Sequence, residues 1–362
     1  MAIDRLVVVA PNWLGDAVMA LPAIADARRH HSSAHLAVAA RASVAPLFTM
    51  VEGVDEIVTL PGRGGLRALA SWKQDAAVLS AGPFDAALLF PNSFATALIA
   101  SKSGIGERWG YDTDWRGRFL TRAVPKPAAP LHQGAYYQTL TTALGMAPGP
   151  MHARVRPNTG RARQLLREIG LDLDEPFAVF APGAAYGRAK QWLPERFAEL
   201  AHMLIEQRGW SVVMVGAAAD RAVCKEIDFR LRQGFHLRQG YGGQDGGQAG
   251  RTPGSNRLNR LIDFSGKSDL ATLAGILAEA RAVVSNDSGA MHLAGAVGTH
   301  VVAMFGATNE LRTSPLSAGP DAPAPSILTH TVFCRPCMLR ECPIDHRCMR
   351  GITAERAFAS LP

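Results

Sequence analysis

Val283-Val284-Ser285-Asn286-Asp287-Ser288-Gly289-Ala290-Met291-His292-Leu293-Ala294 passes from an apolar run through a polar turn into small residues. It predicts a buried strand, a turn and a helix. Asp287 or Ser288 is placed to cap that helix by accepting a hydrogen bond from its first N–H groups. The start of a helix offers backbone donors and a positive dipole end, which suits a diphosphate. Gly289 leaves room for a ligand beside the backbone. His292 follows Ser288 by four residues, so both fall on one helix face. Read alone, the stretch is equally an ordinary capped strand–helix turn, and the remaining chain decides between the two.

The same pattern recurs outward from it. Leu6-Val7-Val8-Val9 is an apolar run typical of a strand buried on both faces, followed by the turn Pro11-Asn12-Trp13-Leu14-Gly15-Asp16. A helix is predicted from Ala17 to Arg28, with Pro22 marking a kink or junction. Further strands are read at residues 36–39, 56–60 and 85–90, and a helix from Gly134 to Leu144. After Met146-Ala147-Pro148-Gly149-Pro150 the alternation restarts, with strands at 177–180, 211–215, 261–264 and 300–305 and a helix from Pro194 to Arg208. Strands alternating with helices imply a parallel sheet. The expected fold is α/β, with two Rossmann-like doubly wound domains facing across a cleft that collects ligands at the carboxyl ends of the strands. The expected boundaries are 1–150 and 151–340, with a Cys-rich tail and final helix over 341–362. Within the second domain, residues 229–256 repeat Leu-Arg-Gln-Gly and Gly-Gly-Gln, a composition that reads as a flexible insertion.

The chain has 362 residues, 48% hydrophobic and 19% charged, enough for real cores. A formal net charge of +7 favours an anionic partner. No Lys/Arg run is interleaved with aromatics, so nucleic acid is not the expected partner. The N-terminus lacks signal-peptide features and no apolar run is long enough for a membrane span. A cytoplasmic location follows as the expectation, and with it cysteines that do not form scaffolding disulfides.

Four features fall at strand ends. Asp16 is either a general base for an attacking hydroxyl or a helix cap. In Ala181-Pro182-Gly183-Ala184-Ala185-Tyr186-Gly187-Arg188-Ala189-Lys190-Gln191-Trp192, Arg188 or Lys190 is a cation for a departing diphosphate, or simply a solvated loop charge. Val215-Gly216-Ala217-Ala218-Ala219-Asp220 is a small-residue turn able to pass under a nucleoside. The opening stretch is the fourth. Separately, Cys334, Cys337, Cys342 and Cys348 cluster near His330 and His346. Four thiolates can hold a structural zinc, although only the first pair has knuckle spacing; reduced thiols packing a terminal turn are the alternative. Cys224 reads as a small buried residue.

Asn12-Trp13-Leu14-Gly15-Asp16 with Leu21-Pro22-Ala23-Ile24, Ala181-Pro182-Gly183 with Lys190-Gln191-Trp192, and Ser285 to His292 occur in order. Together they resemble the ADP-heptose:lipopolysaccharide heptosyltransferases of glycosyltransferase family 9 over nearly the whole chain outside the insertion. The first motif and the Cys-rich tail are most similar to the branch that adds the second heptose. The resemblance implies a GT-B fold and an inverting transfer of L-glycero-D-manno-heptose from ADP-heptose to the first heptose of a Kdo-lipid A acceptor. It also implies Asp16 as base and Lys190 as the cation at the donor phosphates. Asn12 and Trp13 fall to the acceptor side. Ala185, Tyr186, Arg188, Gly216, Ala217, Asp287, Ser288, Gly289 and His292 fall to the donor side, Ala185 and Tyr186 standing where a relative has hydroxyl side chains. The scheme needs no metal or other cofactor. Implied with it are peripheral contact with the inner face of the inner membrane, no nucleic acid, and a monomer. In this fold the final helix often crosses back to the first domain. The alternatives are another nucleotide-sugar transferase or epimerase, a first-heptose transferase, and a nucleotide-binding scaffold without activity.

Overall fold

The computed structural model describes residues 3–62, 68–239 and 260–362. They fall into two compact units. The first comprises residues 1–156 with Pro315–Pro320, and the second residues 157–314 with 321–362. The break therefore comes after Arg156, later than the Pro/Gly cluster near residue 150 suggests, because Arg156 N still donates to Met50 O at 2.9 Å and Ala153 N to Ser317 O at 3.0 Å within the first unit. The Cys-rich tail is no separate piece but part of the second unit.

The first unit runs β1 (Arg5–Val9), α1 (Leu14–Met19), α2 (Leu21–His30), β2 (His35–Arg41), β3 (Glu56–Leu60), α3 (Ala68–Ala81) and β4 (Ala86–Leu89). It continues with α4 (Phe94–Lys102), β5 (Glu107–Asp112), β6 (Arg122–Pro125) and α5 (Gln133–Ala143). Its six strands are parallel in the order β3-β2-β1-β4-β5-β6. β1 lies at the centre, Val7 paired with Ala37 on one side and Ala87 on the other. Leu6, Val7 and Val8 are wholly buried, as a strand covered by helices on both faces requires. Pro22 marks a junction: α1 ends at Met19, and Pro22 sits in the first turn of α2, where its missing N–H is harmless.

The second unit runs α6 (Gly160–Glu168), β7 (Phe177–Ala181), α7 (Pro194–Met203), β8 (Ser211–Met214), α8 (Arg221–Gln239), β9 (Leu261–Asp263) and α9 (Leu270–Glu279). Then follow β10 (Ala282–Asn286), α10 (Gly289–Ala296), β11 (Val301–Phe305), α11 (Glu310–Thr313), β12 (Ser326–Thr329), α12 (Arg347–Arg350) and α13 (Ala354–Ala359). Its parallel order β12-β11-β10-β7-β8-β9 is the topology of the first sheet repeated. The helix predicted from Pro194 leaves α geometry after Met203 for one π turn, Leu204–Arg208. α8 continues through Gln239, so residues 229–239 belong to a helix rather than to the expected insertion; residues 240–256 lie outside the described residues. The final helix, α13, packs on α7 in its own unit, where Ala354, Ala357 and Leu361 join Trp192, Phe197 and Leu200 in one buried cluster. Among the described residues, no helix is long and apolar enough to cross a membrane.

Phe180 is wholly buried in β7, its ring centroid 5.5 Å from that of Phe197. Phe180→Ala is expected to lower stability by about 3–5 kcal/mol, read from the denaturant midpoint, because the packed sheet cannot close the cavity.

Candidate functional site

Each sheet reverses its strand order at one place: between β1 and β4 in the first unit, and between β7 and β10 in the second. Loops leaving the carboxyl ends of such neighbouring strands diverge to opposite faces and open a crevice. Most of the candidate residues lie in those loops, and Gly216 and Ala217 in the turn after β8.

In the first unit, the turn after β1 leads into α1 with Trp13 at the N-cap position and no side-chain cap. Asp16 is therefore not the cap; it stands in the first turn, where a carboxylate meets the positive end of the helix. Its charge reaches Tyr137, whose phenol is pushed upward first by burial and then by Asp16. Trp13 is 65% exposed. Asn12 borders a small cavity of about 20 Å³ beside Arg41 and Asp75, which pair at 2.6 Å. After β4, Ser93 caps α4 and Asn92 Nδ2 donates to Tyr136 Oη at 2.9 Å.

In the second unit, two expected residues 97 positions apart meet directly. Lys190 Nζ donates to Asp287 Oδ2 at 2.7 Å. Both side chains are largely buried, so each charge depends on the other. Thr308 Oγ1 donates to the same carboxylate oxygen at 2.7 Å. Lys190 Nζ also stands 4.9 Å from the centre of the Tyr186 ring. This geometry sets a cation, with its counter-charge fixed, at the crevice between β7 and β10. An anionic ligand there competes with Asp287 for the ammonium group.

Neither Asp287 nor Ser288 caps the following helix. Ser288 occupies the N-cap position of α10 without a side-chain cap bond; its hydroxyl lies 3.1 Å from Ser285 Oγ, and Asp287 turns to Lys190. The first N–H groups of α10 are thus not taken by a side-chain cap. Gly289 opens the helix, and His292 is buried one turn further on. Gly216 and Ala217 follow β8, with Ala217 N donating to Asp220 Oδ2 at 2.8 Å. The Asp220 carboxylate also lies against Gly183: a Cβ there would stand 2.3 Å from Asp220 Cγ. Asp220 thereby ties the turn after β8 to the loop after β7. Arg188 lines a cavity of about 710 Å³ with Trp192, Ala219, Asp220, Glu226, His346 and Arg350. Ala185 is exposed and carries no polar group.

Asn286 has a structural role that its place in the motif did not announce. Fully buried, it accepts from Trp192 N at 2.8 Å and donates to Pro182 O at 2.7 Å, pinning both ends of the Lys190 loop to β10. Thr308 was also missed. Its signal was its position just after a strand, β11.

Among the described residues no group of three or more His, Cys, Asp or Glu side chains is arranged to hold a metal ion. All five cysteines are free thiols. Cys348 is buried in the second unit's core, and burial, then the neighbouring thiols, push its pKa up. Cys224 is wholly buried and pushed up to about 12, chiefly by desolvation.

The sequence model of glycosyltransferase family 9 (heptosyltransferase) matches residues 76–239 and 249–346, more than half of the chain. The chain belongs to this family. It is a glycosyltransferase. It is 26% identical over 321 residues to lipopolysaccharide heptosyltransferase 2 of Escherichia coli (strain K12), covering 86% of each chain. It is similar in fold to the structure of E. coli ADP-heptose lps heptosyltransferase II, with a TM-score of 0.77, 24% identity, and coverage of 98% of this chain and 97% of the other. E. coli heptosyltransferase WaaC with ADP-2-deoxy-2-fluoro heptose matches with a TM-score of 0.66 and 18% identity over 97% of both chains. The two doubly wound units of this glycosyltransferase are accordingly those of the GT-B fold.

Asn286→Ala is expected to cost about 2–3 kcal/mol and to loosen the Lys190 loop, since it leaves the buried Trp192 N–H and Pro182 C=O unpaired; thermal unfolding and limited proteolysis within residues 182–192 would register both. With a thiol reagent at pH 8, Cys334, Cys337 and Cys342, all partly exposed, should react in the folded protein. Cys224 and Cys348 should react only after unfolding, as peptide mass spectrometry would report.

Proposed function

We propose that the protein transfers L-glycero-D-manno-heptose from ADP-heptose to the first heptose of the lipopolysaccharide inner core on Kdo-lipid A, with inversion at the anomeric carbon. The observation that carries this reading is the Lys190–Asp287–Thr308 cluster at the strand reversal of the second sheet, beside the side-chain-free start of α10. A cation and helix N–H groups at one crevice are what a diphosphate leaving group requires. The relatives named heptosyltransferase 2, and the solved relative with a fluorinated ADP-heptose, support the donor and the acceptor step.

In this scheme Asp16 takes the proton from the acceptor hydroxyl as its oxygen attacks the anomeric carbon. The bond from that carbon to the diphosphate breaks, and ADP departs with its charge balanced by Lys190. Ser288 and Gly289 present backbone N–H groups to the phosphates, and Asp287 and His292 border the sugar. Gly216 and Ala217 lie under the adenosine, while Asn12 and Trp13 meet the acceptor. Each step is carried by these side chains, with no metal ion assigned a part. The protein works as a monomer on the cytoplasmic face of the inner membrane, where the formal charge of +7 favours a phosphorylated glycolipid.

Asp16→Asn should lower kcat by roughly 10²- to 10⁴-fold with little change in the KM for ADP-heptose. Unchanged turnover would remove Asp16 from the role of base. Transfer from radiolabelled ADP-heptose should occur to a Kdo-lipid A acceptor bearing one heptose and not to one bearing none; the reverse preference would assign the first-heptose step.

A further inference from the structure

The segment between Arg335 and His346 has no part in the scheme above, yet it touches both ends of the Lys190–Asp287–Thr308 chain. On the Lys190 side, Tyr186 Oη donates to Met338 O at 2.9 Å and Ala189 N donates to Arg340 O at 2.9 Å. His346 Nε2 donates to Ala189 O, also at 2.9 Å, so the residue preceding Lys190 is held at both its N–H and its C=O. The Arg340 guanidinium stands 5.3 Å from the centre of the Tyr186 ring, the same ring that Lys190 approaches. Gly187 permits this closeness: a Cβ there would lie 2.4 Å from Arg340 O. On the other side, Met338 N donates to Ala307 O at 2.8 Å, beside Thr308. Arg335 reaches Thr308 O at 3.4 Å and pairs with Glu310. The segment is itself braced, with His346 N donating to Cys342 Sγ at 3.3 Å.

We infer that residues 335–346 form a strap that positions Lys190 for the donor diphosphate, with His346 and Arg340 as its positioning residues. The physical case is one of entropy and geometry. Lysine is a flexible point charge, and its ammonium serves a phosphate only if the backbone beneath it is fixed. Asn286 pins the ends of the loop, at Pro182 and Trp192. Its middle, residues 186–190, is pinned by the strap. Because the same strap grips the Thr308 turn, one piece of chain braces the segments carrying both groups that bond the Asp287 carboxylate. The strap acts on donor affinity, not on the acceptor.

This rests on the donor reading proposed above, and the test separates the two. ADP binding by calorimetry, donor and acceptor KM values, and melting temperatures would be measured for the wild type, His346→Ala, His346→Gln and Arg340→Ala. His346→Ala should weaken ADP about tenfold and raise the KM for ADP-heptose to match, with the acceptor KM within about twofold. His346→Gln restores an N–H at nearly the same reach and should recover most of the loss. Arg340 is exposed, so Arg340→Ala leaves the fold intact and should weaken ADP about two- to fivefold through the lost contact with Tyr186. Unchanged ADP affinity in folded His346→Ala and Arg340→Ala would overturn the strap. If His346→Ala does not fold, Arg340→Ala decides alone. A loss of melting temperature with wild-type ADP affinity, or a donor and acceptor KM rising together, would also overturn it in favour of a purely structural segment. A wild-type protein that binds no ADP would overturn the donor reading itself, and the inference with it.

Discussion

A parallel sheet covered on both faces leaves one edge free for chemistry, the row of loops at the carboxyl ends of its strands. In this chain the constraint operates twice. Each sheet starts at its centre, winds outward to one side, and then returns to wind outward to the other. The two strands flanking the reversal send their loops to opposite faces. Every candidate residue named from the sequence other than the Cys cluster lies in a loop or first helical turn at such an edge. Asp16 follows β1, Lys190 follows β7, and Asp287 to His292 follow β10.

The buried ion pair between Lys190 and Asp287 shows how the fold prepares charge for use. An isolated ammonium at that depth would pay a desolvation penalty of several kcal/mol, and its carboxylate partner offsets it. Thr308, in the turn after β11, holds the carboxylate, and Asn286 in β10 fixes the loop that carries Lys190, so the geometry of the pair is over-determined by groups from separate segments. A site built this way is organised before its ligand arrives, which lowers the reorganisation required at the moment of transfer.

Much of this was legible in the amino-acid sequence, for physical reasons that can be named. Strands such as Leu6–Val9 and Val283–Val284 are covered on both faces and therefore appear as unbroken apolar runs. Three strands at or next to a sheet margin were not legible, although the edge strands at 56–60 and 261–263 were. Glu107–Asp112, Arg122–Pro125 and Ser326–Thr329 are only partly covered, so polar residues alternate or dominate and no run appears. The helix over Arg221–Gln239 outlasted its expected end because Leu-Arg-Gln repeats are good helix formers even where glycine follows. The expected cap by Asp287 or Ser288 failed because a distant partner, Lys190, and a local one, Ser285, took those side chains.

The sequence by itself determined the architecture, the family and the positions at which chemistry would occur, since apolar periodicity, turn composition and ordered motifs are local properties. Only the tertiary structure decided which of those residues meet. The pairing of Lys190 with Asp287, the pinning of the Lys190 loop by Asn286, and the strap from Arg335 to His346 join positions up to 157 apart. Such contacts depend on the order of strands in the sheet and the path of the tail over its edge, and no local pattern encodes a distance between segments that far apart. The cysteines make the same point in reverse. Their spacing left a metal shell and packed thiols both open, and it is the fold of the tail that places Cys348 in the core and Cys342 against the backbone of His346.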